Sequence, residues 1–256
     1  MMQKVTQIKT PEQIQAMREG GHMLASMMRE LSAMPQVGMA TREISACAVK
    51  LIRENKVDSS FLNYRGYPDV ICLSVNHQAV HTPGSDYQLH DGDLLKLDFG
   101  ILHKGLHTDM ACTVLVANNP DAKEHKQKRA LMQVTREALD AGIRACRDGN
   151  TLGHISSAIG KVIDHSEFSV VRELGGHGIG EKLHDEPWIP NFGKSGQGMR
   201  LSSGMTFALE PITAMGKWQI KDGADGFTYE MKDGSLSAHF EHTVLVTDGE
   251  PEVLTK

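Results

Sequence analysis

Residues 96–111 read KLDFGILHKGLHTDMA, with Asp98 and Asp109 standing in the two arms of a predicted hairpin. The flanking runs, 94–101 and 106–116, are apolar and β-branched, and His103-Lys104-Gly105 is the turn between them. A two-residue turn at His103-Lys104 sets the aspartates directly opposite. One at Lys104-Gly105 leaves them a diagonal step apart, and an odd-length turn with a bulge at Gly105 puts them on opposite faces. Side chains directly opposed across strands stand roughly 4.5–5.5 Å apart at Cβ, close enough for two carboxylates to repel. Aspartate is also a poor strand former, so a cation between the two is the reading that removes both penalties. The plain alternative is one capping and one surface aspartate.

Two glutamates occupy comparably awkward positions. Glu210 ends the apolar run MTFALE before Pro211, and Glu241 lies inside AHFEHTVLV among aromatic and β-branched neighbours. A buried carboxylate without a partner costs several kcal/mol or loses its charge, roughly 2–7 for the uncharged polar case alone. Each therefore predicts a partner, either a metal or a lysine. His177 sits in GGHGIG, whose glycines are expected to let the backbone approach a ligand; no Lys-Ser/Thr follows, which removes a phosphate loop. His184 precedes Asp185-Glu186-Pro187, and His81 stands in AVHTPG where a strand enters a turn. Four carboxylates and one imidazole describe a site for two divalent ions such as Mn, Fe, Co, Zn or Ni, and argue against a thiolate site.

Around this core the chain predicts four helices. Thr10-Pro11-Glu12-Gln13 offers an N-cap, a first-turn proline and a capping-box glutamine, followed by an apolar stripe of Ile14, Met17, Gly21, Leu24, Ala25, Met28 and Leu31. The methionines read as core. A second helix follows Thr41, a third covers 121–146, and Thr151 opens a fourth. Further strands are expected at 70–75, 205–209, 227–231 and 236–246. GMATREISACAVKLI from Gly38 echoes GNTLGHISSAIGKVI from Gly149 at an offset of 111 residues, which predicts two related halves with a site at their interface. The expected architecture is α+β, one unit over residues 1–256, with antiparallel strands covered on one side by helices.

Composition excludes several classes. With 256 residues, 40% hydrophobic and 23% charged, the chain has ordinary globular usage. A net charge of −5 gives no footprint for nucleic acid. Four scattered cysteines without a CxxC pair disfavour a zinc knuckle or a disulfide framework. No run approaches the roughly 18 apolar residues of a membrane span, and residues 1–11 hold no leader-like apolar core. These features point to the cytoplasm.

The order His81, Asp98, Asp109, GHGIG…His184, MTFALEP, FEHT resembles the type I methionine aminopeptidases, and the likeness runs from IKTPEQIQAMREGG through YRGYP to SLSAHFEHTVLVT. The resemblance implies the pita-bread fold: a curved antiparallel sheet covered by two pairs of helices with pseudo-twofold symmetry. It implies that Asp109 and Glu241 bridge two metals, that Asp98 is a terminal ligand of one, and that His177 and Glu210 belong to the other. By the same likeness His81 contacts the scissile amide nitrogen and His184 the carbonyl oxygen, while a bridging hydroxide attacks and Glu210 relays a proton. The product is the initiator methionine of nascent proteins, released preferentially when the next residue is small. Its side chain is expected in a pocket of Tyr64, Tyr67, Cys72, Leu183 and Phe227, with Phe61 at the rim. Phe61, Leu183 and Phe227 depart from the best-known bacterial pattern, as do Thr82-Pro83-Gly84 and Ser203; these bear on pocket shape and leave the ligand set intact. A monomer with a transient ribosome contact is the expected state. The alternatives are a dipeptidase or proline-specific peptidase of the same fold, and a non-catalytic binding module, which typically lacks metal ligands.

Overall fold

The computed structural model describes residues 7–256; the leader expectation therefore falls in part on residues 1–6, outside the described residues. The helices are α1 (Pro11–Ala33), α2 (Thr41–Asn55), α3 (Lys126–Ala145) and α4 (Leu152–Asp164). Before α3 come β1 (Asp58–Ser59), β2 (Ile71–Val75), β3 (Gln78–Val80), β4 (Asp93–His103) and β5 (Leu106–Val116). After α4 come β6 (Ser169–Val170), β7 (Gly175–Gly178), β8 (Asp185–Pro190), β9 (Thr206–Leu209) and β10 (Ile212–Ala214). The last strands are β11 (Ile220–Asp222), β12 (Tyr229–Met231), β13 (Ser237–His239), β14 (Glu241–Leu245) and β15 (Glu252–Val253).

A nine-stranded antiparallel sheet runs β1-β4-β5-β14-β9-β7-β8, with β2 beside β4 and β15 beside β14. Helices cover one face. Leu95, Leu97, Phe99 and Ile101 of β4 point into a core with Leu24, Met28 and Leu31 of α1 and Ile44, Ala48 and Leu51 of α2. Phe207, Leu209 and Val244 make the matching core with Ala138 and Leu139 of α3 and Ile155, Ile159 and Ile163 of α4. Met17, Met27 and Met28 are buried as core residues.

The predicted start of α1 is present in full. Thr10 Oγ1 accepts from Gln13 N at 3.2 Å, Gln13 Oε1 accepts from Thr10 N at 3.0 Å, and Pro11 opens the helix. Gly21 on its buried face lies where a Cβ would stand 2.2 Å from Leu254 O, so only glycine lets the helix sit this close to the segment that follows β15.

The internal echo has a structural counterpart. α2 starts at Thr41 and α4 at Leu152, the same 111-residue offset. The residues before them, Ala40 and Thr151, each form an isolated antiparallel bridge, with Gln88 and Arg200. The two halves of the large sheet meet at β5 and β14 along Glu241↔Ala111 and His242↔Met110.

Two expectations are corrected. The third helix begins at Lys126, after a short 3₁₀ turn at Lys123–His125, and not at 121. The single strand expected over 236–246 is two, because β13 pairs with β10 in a small sheet while β14 pairs with β9 in the large one. Opposite the break lies Glu210-Pro211, where proline has no N–H to give a ladder. The register is the same on both sides of the interruption, with Leu209↔His242 before it and Ile212↔His239 after it.

Candidate active site

Of the turns considered, the structure adopts Lys104-Gly105. His103 pairs with Leu106, both turn residues have positive φ (51° and 77°), and Asp98 lies opposite Ala111 while Gly100 lies opposite Asp109. The aspartates are thus a diagonal step apart on one face, the face away from the helices. Ala111 is in turn opposite Glu241, and the unbroken register carries that row on to Glu210. Asp98, Ala111, Glu241 and Glu210 therefore form a line across four strands, and the small Ala111 side chain leaves the space between acids open. His177 lies opposite Ala208, two residues from Glu210 on the same face. Its pairing with β8 shifts register between His177 and Gly178, a bulge that re-aims the imidazole.

The site is buried and acidic. Asp98, Asp109, His177 and Glu241 are each less than a tenth exposed. His177 Nδ1 donates to Gly178 O at 2.9 Å, which leaves Nε2 free as an acceptor, 3.6 Å from Glu210 Oε1. Thr243 Oγ1 accepts from Asp109 N at 2.9 Å and donates to Asp109 O at 2.8 Å, fixing that residue's backbone. Burial raises the carboxyl pKa of Asp98 and of Glu210 to about 7, and raises Asp109 and Glu241 well above the usual range, with their mutual repulsion adding to it. Asp98 Oδ1, Asp109 Oδ1 and Glu241 Oε1 are buried with no hydrogen-bond partner. One ligand atom each from Asp109, His177 and Glu241 lie within 4.8 Å of one another, as do those of Glu210, His239 and Glu241. Such oxygens are costly unless a cation satisfies them, and oxygen with imidazole is the donor set of divalent first-row ions.

The model of metallopeptidase family M24 matches residues 15–248. This chain belongs to metallopeptidase family M24. The methionine aminopeptidase of Mycoplasma capricolum subsp. capricolum is 38% identical over 97% of the chain and 98% of its own length. The crystal structure of methionine aminopeptidase from Thermotoga maritima is similar with a TM-score of 0.93 at 35% identity, covering 98% of this chain and 100% of that one. An Xaa-Pro dipeptidase from Bacillus anthracis, at 21% identity and a TM-score of 0.75, covers 97% of this chain and 62% of its own longer chain, a likeness of fold alone. These neighbours place the M24 chain in the pita-bread fold, and its family implies divalent metal.

The remaining expected site residues of this M24 metallopeptidase surround the acids. His81 follows β3 with φ 63°, its ring 5.6 Å from that of Tyr229, and burial holds its pKa down at about 4. His184 is open to solvent on one side; its Nδ1 is 3.0 Å from Tyr64 Oη and its ring 4.4 Å from that of His177. Phe61, Tyr67, Cys72 and Leu183 are buried in one apolar cluster, with Tyr64 and Phe227 packed on it. Tyr67 and Phe227 meet edge to face at 5.7 Å, and Tyr67 Oη donates to Ile71 O at 3.1 Å. Phe61 lies over Gly100, where a Cβ would come within 2.9 Å of its ring. A cavity of about 40 Å³ joins Phe61 and Cys72 to the acids and imidazoles.

The glycines around His177 make room for the neighbouring strands. A Cβ at Gly176 would stand 2.3 Å from Ala208 O, and one at Gly178 2.3 Å from Glu186 O. Only glycine fits at both positions.

Sequence reasoning missed two buried groups. His239 is 1% exposed, with Nε2 3.5 Å from Glu210 Oε2 and 3.8 Å from Glu241 Oε2. Its signal was the strand period, since it stands two residues before Glu241. Lys96, two residues before Asp98, is 1% exposed and donates to Asn76 O at 2.7 Å; burial holds its pKa well below the usual lysine value. The same strand period was its signal, since Lys96 shares the face of Asp98.

Proposed function

We propose that the protein is a metal-dependent aminopeptidase that removes methionine from the N-terminus of polypeptides, with a pair of divalent ions held by Asp98, Asp109, His177, Glu210 and Glu241. The reading is carried by one observation: all five side chains converge on one sheet face and leave buried carboxylate oxygens unpartnered. Asp109 on β5 and Glu241 on β14, a diagonal step apart on adjacent central strands, would hold the ions from the middle of the site. Asp98 would help hold them from the β4 side, and His177 with Glu210 from the other. Two divalent ions so held supply a nucleophilic water at neutral pH and polarise the scissile carbonyl.

The chain's own residues do the rest. The apolar cluster of Tyr64, Tyr67, Cys72, Phe61, Leu183 and Phe227 receives the methionine side chain and keeps water from it. His184, held by the Tyr64 hydroxyl, is placed at the solvent side to donate to the oxyanion that develops on the carbonyl. His81, kept neutral by burial, faces the leaving amide nitrogen without adding charge. Glu210 takes a proton from the attacking water and returns it to the departing amine. Nascent chains reaching the enzyme at the ribosome are the natural source of such termini, and small second residues fit the crowded rim best.

The test is release of free methionine from Met-Ala-Ser. Release should stop on chelation and return on adding back Mn, Fe, Co, Ni or Zn. A protein that ignored Met-Ala-Ser and cleaved Xaa-Pro dipeptides would belong instead with the dipeptidases of the same fold.

A further inference from the structure

We propose that His239 is itself a metal ligand, adding a second imidazole to the ion held by Glu210 and Glu241. The inference rests on the metal centre proposed above and adds a residue outside the five ligands assigned there.

The geometry is that of a coordination site. Two atoms each about 2.1 Å from one ion stand roughly 3.0 Å apart at a right angle and about 3.4 Å apart at the tetrahedral angle, and farther at wider angles. His239 Nε2 lies 3.5 Å from Glu210 Oε2 and 3.8 Å from Glu241 Oε2, too far for a hydrogen bond and right for a shared cation. Glu210, His239 and Glu241 each offer an atom within 4.8 Å of the others. Both ring nitrogens of His239 are buried with no hydrogen-bond partner. Thr113 holds the backbone that carries this buried ring: Oγ1 accepts from His239 N at 2.9 Å and donates to His239 O at 2.8 Å. Lys96 does not serve as a partner either: its Nζ donates to Asn76 O at 2.7 Å and Ser237 O at 3.4 Å and makes no bond to the ring. His242, three residues on, shows the contrast. It faces away and bonds Thr255 Oγ1 at 2.9 Å.

The chemical consequence is a donor set of four carboxylates and two imidazoles. An added nitrogen favours the later first-row ions, cobalt, nickel and zinc, over manganese.

Cobalt(II) is the probe. Chelated protein is reloaded with two equivalents, and X-ray absorption counts the imidazoles bound to cobalt. Wild type should show two per protein, and both His239→Gln and His239→Ala one, with His242→Ala retaining two. Calorimetric titration of His239→Gln should show cobalt binding about 10–100-fold weaker, with manganese affected less. One imidazole in wild type overturns the proposal, as does a folded His239→Gln with unaltered cobalt affinity. Should the variants not fold, the wild-type count decides alone. Wild-type protein that takes up no cobalt removes the metal centre and this ligand together, whereas cobalt bound through a single imidazole removes only the ligand.

Discussion

Asp109 is held from the neighbouring strand. Its backbone is tied on both sides to Thr243, its neighbours Asp98 and Glu210 repel it, and one of its oxygens has no partner. A side chain so placed lowers stability and is retained for what it binds. Asp109→Ala should therefore keep the fold and lose function. Methionine release should fall at least about 100-fold, while the metal-free variant should be more stable than metal-free wild type by roughly 0.5–2 kcal/mol. Activity assays beside urea unfolding in chelator check both. An active variant, or one that is inactive and less stable, would contradict this account of Asp109.

At the level of elements, much was legible because the signals were local. The capping box and apolar stripe of α1, the β4–β5 hairpin with its turn, and the paired starts of α2 and α4 lie within short windows. The strands β7 and β8 were not legible, since GGHG has no strand propensity and becomes a strand only between β8 and β9. The break at Phe240 was hidden for a similar reason: LSAHFEHTVLV holds no proline or glycine to mark it, and what divides it is Pro211, distant in sequence. His239 was missed with that break, since its role depends on Glu210 lying across the gap. The glycines of β7 give this scale its own test. Gly176→Ala drives a methyl into Ala208 O, so it should cost about 1–3 kcal/mol and displace His177, with weaker metal binding as the second readout. Unchanged thermal stability and metal affinity would show that β7 can move aside.

For the whole molecule, pH and metal act on one account. An ordinary carboxyl titrates near pH 4, whereas Asp98 and Glu210 titrate at about 7 in the fold. Between those values the native state holds protons that the unfolded chain has released, so these acids make the metal-free protein less stable as pH rises. His81 and His239, held near 4, act in the opposite sense between about pH 4 and 6.5, where the unfolded chain is the one that binds protons. The difference between metal-loaded and metal-free protein isolates the acids, because metal must displace their protons. The gap in Tm between the two forms should widen from pH 6 to pH 8 at fixed metal, by roughly 1.4 kcal/mol in binding for each proton displaced per pH unit. Melts across that range check it, and a gap independent of pH would show that the acids enter the cluster already ionised. The seam between β5 and β14 has a last implication, for ancestry. Asp98 and Asp109 lie on one side of it, His177, Glu210 and Glu241 on the other, joined by a two-pair ladder and by the Thr243–Asp109 and Thr113–His239 bonds. A chain of half this length would own an incomplete cage and could close it only by docking against a second copy of itself. Fusing the copies would then let each drift, one keeping two aspartates and the other acquiring imidazoles, without losing the shared ions.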